Sequence, residues 1–314
     1  MNKLKVKNIE LWFILLSYNS SASVKETLQS IIRSMEGLKD HKIKFGVILC
    51  DDCSTDGTID ILEDYKKAIL IGYARVENFL DIHFIKNNVN LGTVLNLDNG
   101  LNYLEKLSID KEADRYLKII GGDDEIIQDE FNLALRLVEK FRPDVQFNAA
   151  QVCDLTKNIT YTNLSPQLWT YKSIIGRLMN LKNNLIMSPS TIIKLNLALN
   201  INKKCKSIGI KLIEDWMISS YAYNYSPIKI SRTRYRVVKY NISSSSVTKA
   251  RNSEIAKVYI KDIYLQEKFN FKLVNINIGN IKNINKLFII ILVRLSMLIV
   301  KFSNNVEKLI FFKK

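Results

Sequence analysis

Proline and glycine are scarce in this 314-residue chain, at 4 and 11, and histidine is scarcer still at 2. With so few breakers there is no long linker, and the only low-complexity stretch is the short loop Ser243 to Ser246. No internal repeat is present. The four cysteines, Cys50, Cys53, Cys153 and Cys205, supply no disulfide framework for a chain this long, which fits a reducing compartment. Cys50 and Cys53 form a C-x-x-C, but zinc would need a second ligand pair, and His41 and His83 lack ligand-pair spacing. A thioredoxin-like role is an alternative for this pair. The plainer reading packs Cys50 in a strand and Cys53 in a turn.

A secretory leader is not the expected reading of the N-terminus either. After Lys3, Lys5 and Lys7 the apolar run Leu11–Leu16 is only six residues long, Glu10 adjoins it, and no small-residue cleavage site follows. A buried first strand is expected there. There is also no basic stripe interleaved with aromatics and no zinc-finger spacing. Nucleic acid is therefore not the expected partner, although Lys and Arg outnumber Asp and Glu by 46 to 31, a net charge of +15.

Apolar residues make up 47% of the chain, enough for a large core. Strands are expected at 9–17, 45–49, 81–86 and 115–120, with helices near 24–35, 57–68, 93–107 and 128–140, the last stopped by Pro143. Ser23 and Glu26 have capping-box spacing. Such alternation predicts an α/β, doubly wound, largely parallel sheet. Beyond it, strands are expected at 144–152 and 228–238, a mixed segment at 155–183, and a short helix from Glu214.

The most informative segment is Cys50-Asp51-Asp52-Cys53-Ser54-Thr55-Asp56-Gly57-Thr58. It places two carboxylates at the end of a buried strand and a polar turn into a helix, which is where open α/β sheets bind ligands. Acceptor-only carboxylates suit the N–H of a base and ribose hydroxyls. A helix-capping turn is the plainer reading, and Asp56 is the expected cap. A second acidic cluster, Gly121-Gly122-Asp123-Asp124-Glu125, closes the strand at 115–120. Together the clusters suggest one cleft holding a nucleotide and a divalent metal.

In order, the chain carries Ser17-Tyr18-Asn19, Asp51-Asp52-x-Ser-Thr-Asp-Gly-Thr, Asn90-x-Gly92, Gly122-Asp123-Asp124 and Glu214-Asp215-Trp216. Over residues 9–240 this resembles the family 2 inverting glycosyltransferases of GT-A fold. The resemblance implies a hexosyl- or N-acetylhexosaminyl-transferase that uses a nucleotide-diphosphate sugar and Mn2+ or Mg2+. It implies that Ser17, Tyr18, Asn19, Asp51, Asp52 and Asp124 line the nucleotide-sugar site, with Asp51 and Asp52 undecided between them. It makes Asp123 the metal ligand and Asp215, or else Glu214, the base that takes the acceptor hydroxyl proton. Read alone, the Glu214-Asp215 pair is equally a stabilising acidic first turn.

The chain departs from the family pattern in three places. Gly121 stands at the first aspartate of the D-x-D region, Leu97 and Asp98 where an arginine is common, and Val238 where a histidine ligand follows Tyr235-Arg236. Arg232, Arg234 and Arg236 share one face of an alternating strand and are candidates to clamp phosphates.

The expected organisation is a transferase domain at 1–240, an extension at 241–285 and a basic tail at 286–314. From Leu287 to Val300 only Arg294 and Ser296 are polar. Fourteen helical residues span about 21 Å, short of the roughly 30 Å hydrocarbon core. With Lys286, Lys301, Lys308, Lys313 and Lys314 around it, the tail suits an interfacial helix on an anionic membrane. A helix packed on the domain or in a dimer, and a true span, are the alternatives. The expected acceptor is a lipid-linked surface glycan, and the expected place the cytoplasmic face of the cell membrane. A catalytically degenerate scaffold and another nucleotide-binding transferase are the rival readings.

Overall fold

The computed structural model describes residues 7–38, 42–107, 112–165, 180, 187–212, 214–224, 227–242, 254–278, 295 and 298. The first half alternates strand and helix: β1 (Ile9–Ser17), α1 (Val24–Glu36), β2 (Lys44–Asp51), α2 (Thr58–Tyr73), β3 (Phe79–Lys86), α3 (Thr93–Lys106) and β4 (Asp114–Gly121). A two-residue β5 (Glu125–Ile126) precedes α4 (Gln128–Phe141), which ends at Arg142 in the left-handed region (φ 47°), just before Pro143. Then follow β6 (Val145–Asp154), β7 (Ile159–Asn163), a 3-10 turn (Ser188–Ser190), β8 (Thr191–Lys194), α5 (Leu195–Ile208), α6 (Glu214–Asn224), β9 (Ile230–Ile242) and α7 (Glu254–Ile278).

Among the described residues the strands form one sheet in the order β3-β2-β1-β4-β8-β6-β9-β5, with β7 on β6. The pairs from β3 to β4 are parallel, as the alternation predicts. The second half is mixed. β6 and β9 run parallel, while β8 is antiparallel to both β4 and β6. β1 is buried along nearly all its length, so Ile-Glu-Leu-Trp-Phe-Ile-Leu-Leu reads as a central strand covered on both faces. Gly46 makes room for the Trp12 indole, since a Cβ there would stand 2.4 Å from its ring.

Alternate residues of each strand feed two apolar layers. One face packs Leu11, Phe13, Leu15, Val47 and Leu49 against α1, α2 and α4. The other packs Trp12, Ile14 and Ile48 against α3, α5, α6 and α7.

Two local expectations are revised. β8 and α5 occupy a stretch with no predicted element. The mixed segment expected at 155–183 contains β7 among its described residues. Ser23 starts α1 without capping it: its hydroxyl donates to Gly122 O at 2.9 Å and reaches Ser20 O at 3.4 Å. The tail at 286–314 lies outside the described residues apart from Leu295 and Leu298. Among the described residues no helix is long and apolar enough to cross a membrane.

Candidate functional site

The chain leaves β1 toward β2 on one side and returns to β4 on the other. β1 is therefore the point where the strand order reverses, and the crevice beyond its carboxyl end is the place for a ligand. Register makes the three strand ends level: Ser17 pairs with Asp51, and Leu16 with Gly121. Motifs separated by up to about a hundred residues meet at this edge.

The loop after β1 is sewn to the loop after β2. Asp51 is fully buried; its Oδ1 accepts the hydroxyls of Ser17 (3.1 Å) and Ser54 (2.6 Å), and its Oδ2 the Ser54 N–H (2.8 Å). Asn19 has φ 46°, donates its N–H to Ser54 Oγ and accepts the Thr55 N–H at 2.8 Å. The N-cap of α2 is Gly57, not Asp56 as expected; Asp56 stands one residue earlier and accepts the Thr58 N–H and hydroxyl as well as the Ser21 N–H. Burial works against its ionisation, but these hydrogen bonds outweigh it and hold the carboxyl at about 2. Ser17 and Asn19 thus serve the scaffold, while Tyr18 between them is 45% exposed at the mouth of the crevice.

Asp52 organises the third wall. Its Oδ1 accepts the Asn87 amide (3.0 Å) and the Leu91 N–H (2.8 Å), and its Oδ2 the Gly92 N–H (2.8 Å). Gly92 has φ 82°, and a Cβ there would meet Lys211 O at 3.2 Å. Val94 donates to that same carbonyl at 2.9 Å, so the turn before α3 packs on the loop that leads into α6.

The Gly121–Asp124 turn closes the other wall. Gly122 donates to Leu16 O, and a Cβ on it would strike Ser20 Oγ at 2.6 Å. Asp123 is exposed as a residue, but surrounding protein hems in its carboxyl and raises its pKa. Asp124 is buried; burial and then the Asp123 charge hold it well above the ordinary carboxylate range, against hydrogen bonds from Asn241 and Gly121 and the charge of Lys118. Asn241 donates its N–H to Asp124 Oδ1 (3.2 Å) and its amide to Asp123 O (2.8 Å).

A Cβ on Gly121 would sit 3.0 Å from Asp123 Oδ1 and 3.4 Å from Asp124 Oδ2. The glycine where the pattern has aspartate therefore keeps space open between two crowded carboxylates. Hard oxygens of this kind fit a divalent cation whose shell is completed by other oxygens. Among the described residues no group of three or more His, Cys, Asp or Glu side chains forms a cage by itself.

Asp215 lies in the first turn of α6, where its Oδ1 accepts the Trp216 N–H (2.8 Å). The side chain of Glu214 is outside the described residues. Trp216 is a core residue, its indole N–H donating to Asn180 O at 3.0 Å. The Lys211–Leu212 loop, packed on the Gly92 turn, leads into the helix that carries Asp215.

Two of the three arginines are engaged within the protein, and Arg234 is exposed. Arg236 is paired with Glu130 (Nε to Oε1, 2.8 Å), and Arg232 donates to Ser165 O. The register of β9 against β6 shifts between Arg232 and Arg236 and again before Val238, which breaks the alternation. Val238 is fully buried in the core. Sequence reasoning missed Lys118 and Asn241. A lysine inside an apolar strand was the available signal for the first; nothing local marks the second.

A family profile described as glycosyl transferase family 2 matches residues 12–193. No curated protein matches the chain. Among solved structures, the chain is similar to Staphylococcus aureus TarS 1–349 in complex with UDP, with a TM-score of 0.53 and 17% identity over 92% of this chain and 70% of that one. The same protein in complex with UDP-GlcNAc gives 0.51 and 15% over 86% and 72%. Without a named ligand it gives 0.51 and 17% over 97% and 75%. The fold is GT-A-like, and the chain belongs to glycosyl transferase family 2.

Proposed function

We propose that this glycosyltransferase moves a sugar, with inversion, from a nucleotide-diphosphate sugar to a hydroxyl of a lipid-linked glycan. The observation that carries this reading is the level register of Ser17, Asp51 and Gly121 at the switch point, which gathers the acidic motifs into one crevice. Tyr18, exposed at its mouth, offers a ring face to the base. Asp51 and Asp52 hold the loops around that base, and Asp52, which is not completely enclosed, is the better direct contact.

Asp123, with Asp124 beside it, would hold Mn2+ or Mg2+ together with donor diphosphate oxygens. A bound ion there neutralises the charge of the leaving diphosphate. In a single displacement the acceptor oxygen attacks the anomeric carbon as the bond to the phosphate oxygen breaks. Asp215 is the base assigned to the acceptor proton, with Glu214 second. The basic tail at 286–314 is assigned to an anionic membrane on its cytoplasmic face.

The test is calorimetric titration with UDP, GDP and dTDP, with and without Mn2+, beside Asp123→Asn. UDP comes first because the similar TarS structures carry UDP and UDP-GlcNAc. Metal-dependent binding of one nucleotide, lost in the variant, is the expected result. A folded protein that binds none of the three would overturn the donor site and favour a degenerate scaffold.

A further inference from the structure

The outward face of α7 has no role in the cleft, yet its composition is specific. Ile260 is 65% and Tyr264 63% exposed, one turn apart. Lys257, Lys261 and Lys268 are exposed as well. At 3.6 residues per turn these five positions fall within a strip about 100° wide. Of the acids here, Asp262 points inward and is fully buried, and Glu267 is half-buried at the edge of the strip, against three exposed lysines. From the neighbouring α5, the Lys204 ammonium lies over the Phe269 ring at 5.1 Å, and Lys203 beside it is exposed. The patch is therefore basic, with two large apolar side chains standing out of it.

We infer that this face docks the folded body on an anionic lipid bilayer. Ile260 and Tyr264 enter the headgroup layer, and Lys261 and Lys268 meet lipid phosphates. Two observations favour a bilayer over a protein partner. The chain as a whole is strongly basic at +15, which suits an extended anionic surface. The helix also runs directly into residues 279–314, which contain the apolar, lysine-flanked run Leu287–Val300.

The inference rests on the proposed lipid-linked acceptor for its purpose, but its geometry is separate. Asp262 Oδ2 accepts the N–H groups of Lys211 (2.9 Å) and Leu212 (2.7 Å), fixing the loop before α6. The Asp215 charge, after burial, raises the hydroxyl of Tyr259, the residue before Ile260. Tyr259 and Asp262 lie on the inward side of α7, so docking through the outward face holds the proposed base behind that helix, roughly one helix diameter from the lipid surface.

The full-length protein is sedimented with phosphatidylcholine vesicles, with and without phosphatidylglycerol, beside Lys261→Glu/Lys268→Glu and Ile260→Ser/Tyr264→Ser. All four positions are exposed, so UDP binding serves as the control for folding. Binding to the anionic vesicles is expected to weaken by at least about tenfold in Lys261→Glu/Lys268→Glu, since each interfacial lysine contributes roughly fivefold, and by about as much in Ile260→Ser/Tyr264→Ser, which removes the inserted apolar area. A third variant reverses the tail lysines Lys301, Lys308, Lys313 and Lys314; it is expected to keep part of its charge-dependent binding. The inference is overturned if the α7 variants sediment like the parent, if neutral vesicles bind equally well, or if the tail reversal alone abolishes binding. A parent that binds vesicles but no nucleotide would sink the donor site and leave the docking face standing.

Discussion

Asp52 accepts the backbone N–H of Gly92 across forty residues of sequence, at 2.8 Å, and that of Leu91 at the same distance. One carboxylate thereby fixes the turn that starts α3, and through Lys211 the loop that starts α6. Asp52→Asn puts an amide donor among backbone donors. Stability is expected to fall by about 1–3 kcal/mol, with nucleotide affinity falling alongside. Urea unfolding and calorimetry on the same preparation check this, and an unchanged midpoint would show that the carboxylate is not a strut.

Tyr18 should behave in the opposite way. It is an exposed ring in a loop already held by Ser17 and Asn19, so Tyr18→Ala leaves the melting temperature within about 1 °C. Loss of a stacking face costs about 1–3 kcal/mol, roughly five- to 150-fold in nucleotide affinity. Equal affinity in the variant would remove Tyr18 from the donor site.

Gly121 and Gly122 are neighbours with different constraints. A methyl group on Gly122 meets Ser20 Oγ at 2.6 Å and Ser20 Cβ at 3.1 Å, so Gly122→Ala should destabilise the fold by about 1–3 kcal/mol. The nearest atoms to a methyl group on Gly121 are in the carboxyl groups of Asp123 and Asp124. Gly121→Ala should cost less than about 1 kcal/mol of stability while weakening Mn2+-dependent nucleotide binding. If the two variants lose stability equally, the opening beside Gly121 has no special role.

Lys118 gives a pH dependence. It is fully buried, with its ammonium on Pro189 O and 5.8 Å from the Phe131 ring centroid. Burial lowers its pKa from 10.5 to about 7, against an opposing pull from Asp124. Between these values the unfolded chain binds the proton and the folded chain does not, so stability rises with pH through that window, by at most about 1.4 kcal/mol per pH unit. Lys118→Met lacks this contribution. Its stability relative to the parent is expected to be highest near pH 7 and to decline toward pH 10, as followed by urea unfolding across the range. A constant difference would mean that Lys118 stays charged.

The first half of the fold was legible because its strands are continuous apolar runs and each helix begins at a polar turn. The β8–α5 stretch was harder, since β8 has only four residues, too few to display a period. Helix α5 did carry a signal, with Leu195, Ala198, Ile201 and Cys205 buried at helical spacing. The acidic motifs were visible as residue types at strand ends, but their division of labour was not. Asp51, Asp52 and Asp56 look alike in sequence, yet Asp51 and Asp56 tie the loop after β2 to the end of β1 and the loop after it, while Asp52 holds the turn before α3.

Sequence alone determined the alternating core and the order of the motifs, because hydrophobic period and turn chemistry are local properties, and that order carried the resemblance to the family. Only the tertiary structure decided that Arg236 pairs with Glu130, that Val238 lies in the core, and that Asn241 reaches back to Asp123 and Asp124. These outcomes depend on strand register, including the shifts along β9. Register is set by packing between segments far apart in the chain, so no local pattern encodes it.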